Sequence, residues 1–147
     1  MAICLTAGVF AQGIPIEVMP ILKTGAIFTA GGATEFGFGA GANIDIYRDS
    51  ASGFATYTYL GKFFSGRGEN NIEFSTSFLY VEKYFPNFKG DFKPYIAIGA
   101  GYVHDGKAAY SLDLGGVIYH QVGLSLGSWY APESDEVFVS LNINLTP

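Results

Sequence analysis

Eight ionisable residues are placed to do chemistry together: Lys23, Glu35, Asp45, Lys62, Glu73, Lys83, Lys93 and Asp113. They are spread along the chain, yet they are read onto the polar positions of a two-residue alternation. Such positions share one face of a β-strand. If the strands curve around a common axis, acids and bases are delivered to one enclosed space. Both signs are present, so pairing offsets the cost of removing charge from water. The expected arrangement is an internal salt-bridge network, and the competing one is a gated ion or proton path. The two histidines raise acid–base catalysis, but His104-Asp105 and His120-Gln121 both fall in turn signals. No Ser–His–carboxylate geometry can be argued from there, so no catalytic residue is expected. Two isolated histidines and the single cysteine, Cys4, make no metal-ligand set. Gly31-Gly32 and Gly37-x-Gly39-x-Gly41 continue a strand and open no helix, so no dinucleotide cofactor is expected either.

The elements that must carry these residues are strands. Turn signals arrive at intervals that fit a meander of long strands. The first strand lies within Ile14 to Ala30, with Pro20 bending it or marking its entry. The others are read at Thr34 to Tyr47, Phe54 to Phe64, Asn71 to Tyr84, Phe92 to Val103, Ala108 to Tyr119, Val122 to Tyr130 and Val137 to Leu145. Asp105-Gly106 is a hairpin signal between the fifth and sixth. An even number of strands returns both ends of the set to one side. Most are longer than the five or six residues usual in globular sheets, and they match the 9 to 11 residues of a tilted membrane-spanning strand.

The faces argue about solvent. In the last strand Val137, Val139, Leu141, Ile143 and Leu145 oppose Phe138, Ser140, Asn142 and Asn144. In the second, Phe36, Phe38, Ala40, Ala42, Ile44 and Ile46 oppose Glu35, Gly37, Gly39, Gly41, Asn43 and Asp45. The third and fourth are read with Ala55, Tyr57, Tyr59, Phe63, Phe74, Phe78, Tyr80 and Tyr84 on the apolar face. A soluble barrel would bury the apolar face and solvate the other with charge. Here that other face is mostly Gly, Ser, Thr and Ala, and charged residues are only 14% of the chain, against about 25% in soluble domains. Such a face suits a narrow eight-stranded lumen better than a soluble exterior, although its many glycines would also leave water-filled space. The apolar face is then expected to meet lipid. Tyr47, Tyr57, Tyr59, Tyr80, Tyr84, Tyr102, Tyr110 and Tyr130 are read onto that face toward strand ends, as interfacial aromatics. Trp129 falls on the small-residue face, against that rule.

The run Lys93-Pro94-Tyr95-Ile96-Ala97-Ile98-Gly99-Ala100-Gly101-Tyr102 and the strand Val137-Phe138-Val139-Ser140-Leu141, together with this patterning, resemble the small outer-membrane β-barrel proteins typified by the OmpA transmembrane domain and OmpX. The resemblance covers nearly all of the chain after residue 11 and speaks to architecture. It implies an all-β fold, an eight-stranded antiparallel up-and-down transmembrane β-barrel, in the outer membrane. Members usually finish on an aromatic residue, whereas this chain ends Leu145-Thr146-Pro147. Some such barrels are lipid A deacylases or acyltransferases. The deacylases carry a His and a Ser two residues apart on the penultimate strand, and Ser128-Trp129-Tyr130 lacks the His.

Residues 1–11 read as a signal peptide that lacks a basic start, with Val9 and Ala11 where a peptidase would need small side chains. Residues 12–147 form one β-barrel domain. A net charge of -5 with eight basic residues leaves no basic stripe for nucleic acid. The expected protein is a monomeric barrel in contact with membrane lipids, with a structural or interaction role, a lumen filled by side chains, and no cofactor. The alternatives are a lipid-modifying enzyme and a soluble lipocalin-like barrel binding a small hydrophobic ligand. Phe85, Phe88 and Phe92 with Lys83, Lys89 and Lys93 form an aromatic and basic group at one rim, suited to anionic headgroups or a partner.

Overall fold

The computed structural model describes residues 17–32, 34–67, 70–85, 87–104, 106–118 and 122–145. The expected leader, Asp105, His120 and the terminal Thr146-Pro147 lie outside them. The described chain forms eight strands: β1 (Val18–Thr29), β2 (Thr34–Asp49), β3 (Phe54–Arg67), β4 (Asn70–Tyr84), β5 (Phe92–Val103), β6 (Lys107–Ile118), β7 (Val122–Ala131) and β8 (Glu136–Leu145). Each pairs antiparallel with the next, and β8 returns to β1 through Ile21↔Asn144 to Thr29↔Glu136, closing the barrel. Closure matters because it leaves no unpaired sheet edge along the ring. The β1–β2, β3–β4, β5–β6 and β7–β8 connections share one rim, called here the upper rim. The β2–β3, β4–β5 and β6–β7 connections share the lower rim, where β1 begins and β8 ends.

Apolar side chains form the outside. Leu22, Phe36, Phe38, Ile98 and Leu126 are between 60% and 72% exposed. The aliphatics of β8 (Val137, Val139, Leu141, Ile143 and Leu145) also point outward, while Phe138, Ser140 and Asn142 are buried inside. A lipocalin-like binder would need those aliphatics around an internal cavity, and they are on the other side of the wall.

Strands β3 and β4 correct the expected register. Tyr57, Tyr59, Phe63, Phe74, Phe78 and Tyr80 were expected to face lipid, yet all are buried inside the barrel. Thr56, Thr58, Lys62, Glu73, Ser75 and Ser77 stand on the outward positions instead. The reason lies on the flanking strands β2 and β5, whose inward residues are too small to fill the lumen. A Cβ at Gly41 would stand 2.6 Å from Tyr59 Cε2, and one at Gly99 would stand 2.8 Å from the Tyr80 ring. The inward glycines therefore make room for rings from β3 and β4. Tyr47, Tyr102, Tyr110 and Tyr130 are on the outer face as expected.

A β-bulge breaks the alternation of β2. Asp45 pairs with Tyr57, but the next pair is Tyr47↔Thr56, so Ile46 is the extra residue. Ile46 and Tyr47 both point outward. Arg48 is thereby brought opposite the inward Ala55. Re-aiming a side chain in this way is a recurrent use of bulges.

Candidate functional site

The barrel interior has three zones. Under the upper rim sits an aromatic cluster. Phe63 packs 5.1 Å from Phe74 and 5.0 Å edge-on from Phe138, between ring centroids. Trp129 stacks on Phe138 at 5.4 Å. Edge-to-face and offset contacts of this kind suit the ring quadrupoles. His104, at φ 49° in the β5–β6 turn, aims its ring into this cluster, 4.3 Å from the Phe74 centroid. Its Nε2 lies 2.9 Å from Glu136 Oε2, and Ser134 Oγ donates to the same oxygen at 3.0 Å. The carboxylate thus gathers both groups. The serine hydroxyl is held by Glu136 and not by the imidazole, which is not the order a nucleophile and its base require.

The middle zone is polar and tightly bonded. Lys23 Nζ lies 3.9 Å over the Tyr59 ring centroid, a cation–π contact. Tyr80 OH and Ser111 Oγ are 2.6 Å apart, Ser111 Oγ donates to Ser128 O at 2.9 Å, and Asp113 Oδ1 stands 3.4 Å from that hydroxyl. Ser140 Oγ donates to Asn142 Oδ1 at 2.7 Å, and Asn142 Nδ2 donates to Ser125 Oγ at 3.1 Å. Small hydroxyl and amide groups on β6, β7 and β8 fit here because only short side chains leave room for the rings opposite.

A cavity of about 430 Å³ opens toward the lower rim. Arg48 stands in it. Its Nε donates to Asp45 Oδ2 at 2.9 Å and its Nη2 to Asp45 Oδ1 at 3.3 Å, a fork-on-carboxylate geometry. Its Nη1 lies 3.8 Å from Glu82 Oε1. Lys93, Tyr95 and Asn144 also line the space, and Asn144 Nδ2 donates to Tyr95 OH at 3.3 Å.

Solved structures share this arrangement of strands. Neisserial surface protein A (NspA) matches with a TM-score of 0.63 at 10% identity, covering 90% of this chain and 97% of that one. A de novo designed transmembrane β-barrel matches with a TM-score of 0.52, also at 10% identity, covering 88% and 95%. The fold is the closed eight-stranded barrel of these proteins. No family model matches the chain, and no curated protein matches it by sequence.

Of the eight ionisable residues expected to share the lumen, Lys23, Asp45, Lys93 and Asp113 stand inside it. Glu35 joins them near the upper rim, with Ser65 Oγ 3.2 Å from its Oε2. Lys62, Glu73 and Lys83 are corrected. Lys62 Nζ pairs with Glu73 Oε1 at 2.7 Å on the outer wall, with the two side chains 56% and 53% exposed. Lys83 bonds Ser52 O and lies 4.5 Å over the Phe54 ring, outside at the lower rim. All three follow from the inverted parity of β3 and β4. The same inversion hid Glu82, whose place among the aromatics of β4 was the available signal. A carboxylate on a face assigned to lipid is costly, so that face had reason to point inward. The sequence places Arg48 beyond the strand ending at Tyr47, whereas β2 runs on to Asp49, and no sequence feature announces the bulge.

Proposed function

We propose that this chain is an outer-membrane β-barrel protein with a structural or interaction role, its lumen filled by its own side chains with no open pore. The observation that carries the reading is the outer wall. Soluble monomers rarely expose a contiguous apolar patch beyond a few hundred Å², whereas here exposed Leu, Ile, Val or Phe side chains occur on every one of the eight strands. Strands of 10 to 16 residues are long enough for a tilted crossing of the hydrocarbon layer. Tyr102, Tyr110 and Tyr130 face outward toward the upper rim, and Tyr47, Phe54, Phe85 and Phe92 do so toward the lower. Two aromatic girdles are what membrane interfaces favour. Likeness to a Neisserial surface protein and resemblance to the OmpA and OmpX type support the outer membrane as the location.

The filled lumen is supported by the packed rings of Phe63, Phe74, Trp129 and Phe138 under the upper rim, since barrels of eight strands are just wide enough for side chains to fill. The experiment combines fractionation with electrophysiology. The protein is expected in the membrane fraction, released only by detergent, β-rich by circular dichroism, and without stepwise conductance in planar bilayers. A freely soluble, stable monomer would overturn the membrane reading, and stepwise channels would overturn the filled lumen.

A further inference from the structure

We infer that the outer wall of β3 and β4 is a lateral interface between two copies of this chain, an inference that rests on the membrane reading above. The outward positions of the two strands carry Thr56, Thr58 and Lys62 on one and Glu73, Ser75 and Ser77 on the other, interspersed with exposed Phe54, Leu60, Leu79 and Val81. No other part of the described outer wall concentrates polar side chains in this way. Lipid tails offer such groups no hydrogen-bond partner, and a charge on a lipid-facing wall destabilises a barrel. Within one copy Lys62 bonds Glu73 at 2.7 Å and Thr58 Oγ1 donates to Phe78 O at 3.1 Å; a protein surface carrying complementary groups would serve the remaining hydroxyls and shield the ion pair from lipid.

The shape agrees. A shallow depression of about 750 Å³ spans β2 to β5 and is bordered by Ala40, Ala42, Leu60, Phe64, Ser77 and Tyr102. Small residues allow two backbones to approach closely within a membrane, and hydroxyls then bond across the contact. The register sets Ala42 beside Leu60, Leu60 beside Ser77, and Ser77 beside Tyr102, so the depression is continuous across four strands.

The charges select the occupant. Lys62 and Glu73 lie together on adjacent strands, one of each sign. A two-fold axis along the membrane normal sets Lys62 of one copy against Glu73 of the other, and the reverse, with no charge left over. Isologous contacts of this sort need a self-complementary patch, which a cation–anion pair supplies. An anionic lipid headgroup would satisfy Lys62 but repel Glu73.

The test uses the full chain with Cys4 replaced by Ser, reconstituted in phosphatidylcholine vesicles. Ser77→Cys is expected to form an oxidised dimer, and Leu126→Cys, on the opposite wall, is not. K62E and E73K should each lower the Ser77→Cys dimer yield by about tenfold through like-charge contact, and the double variant K62E/E73K should restore it. Circular dichroism of each variant reports whether the barrel has folded. A membrane-inserted, β-rich protein that crosslinks at neither position, or equally at both, overturns the interface, as does a double variant that stays monomeric. A chain that remains in the aqueous fraction shows instead that the membrane reading has failed, and the interface falls with it.

Discussion

Strands β3–β4 and β7–β8 are both antiparallel hairpins, and both obey a period of two, yet they send opposite chemistry inward. On β7–β8 the outward set is Leu124, Leu126, Val137, Val139, Leu141 and Ile143, and the inward set includes Ser125, Gly127, Ser140 and Asn142. On β3–β4 the inward set is Tyr57, Tyr59, Phe63, Phe74, Phe78 and Tyr80, and the outward set mixes Thr, Ser, Lys62 and Glu73 with Phe54, Leu60, Leu79 and Val81. The difference follows from shared space. An eight-stranded barrel has a narrow interior, and protein interiors pack densely, so bulk from one wall requires its lack on another. Rings on β3 and β4 lie against glycines on β2 and β5. Alternation therefore says that two faces differ, and only complementarity between walls says which one is inside.

The largest effect should come from removing that bulk. Phe74 touches Phe63, Trp129, Phe138 and His104. Phe74→Ala is expected to cost about 3–5 kcal/mol of folding stability, the usual loss for a buried ring. Val139→Ala removes methyl groups from the outer wall, where surrounding lipid or detergent can close on the gap, and should cost less than about 1 kcal/mol. Urea unfolding in detergent, followed through the chain's single tryptophan at Trp129, measures both. Equal losses would erase the distinction between the two faces.

Most of the barrel is legible in the sequence because its strands contrast sharply. On β2 and on β5 through β8, aliphatics or Phe alternate with Gly, Ser, Asn or Asp, and those registers were read correctly. The β5 limits, Phe92 and Val103, also match those read from the sequence. On β3 and β4 the contrast is between aromatics and small polar residues, and an aromatic serves equally well as lipid contact or as lumen filler. Reading Tyr57 and Phe78 as outward then carried Lys62 and Glu73 inward by parity. The site at the lower mouth was harder still. Arg48 enters it through a bulge set by pairing between β2 and β3, and Ile46 is an unremarkable residue to be left unpaired. His104 and Glu136 meet only because the barrel closes, and nothing local to either residue reports that.

The second effect tests the bulge. Arg48→Met leaves Asp45 and Glu82 facing each other without their shared cation, and charge-assisted hydrogen bonds are worth about 2 kcal/mol. That is the expected loss of stability, with the strand content unchanged by circular dichroism. Because Arg48 and Glu82 act as one unit, Arg48→Met combined with Glu82→Gln should cost less than the sum of the two single variants. Additive losses would mean that Arg48 does not answer Glu82 and that Asp45 alone holds it in the mouth.

The smallest effect belongs to the residue beside the aromatic cluster. Lys62 precedes Phe63 and points the other way. Its ion pair with Glu73 lies more than half exposed, and exposed pairs contribute about 0.2–1 kcal/mol. Lys62→Gln should therefore shift the unfolding midpoint of the dilute, monomeric protein only slightly, although Phe63 and Phe74 lie beneath it. A loss comparable to that of Phe74→Ala would place Lys62 inside the barrel and reverse the register of β3. A small loss leaves the Lys62–Glu73 pair with little part in holding one barrel together, and the charge-swap crosslinking then asks whether it acts between two barrels.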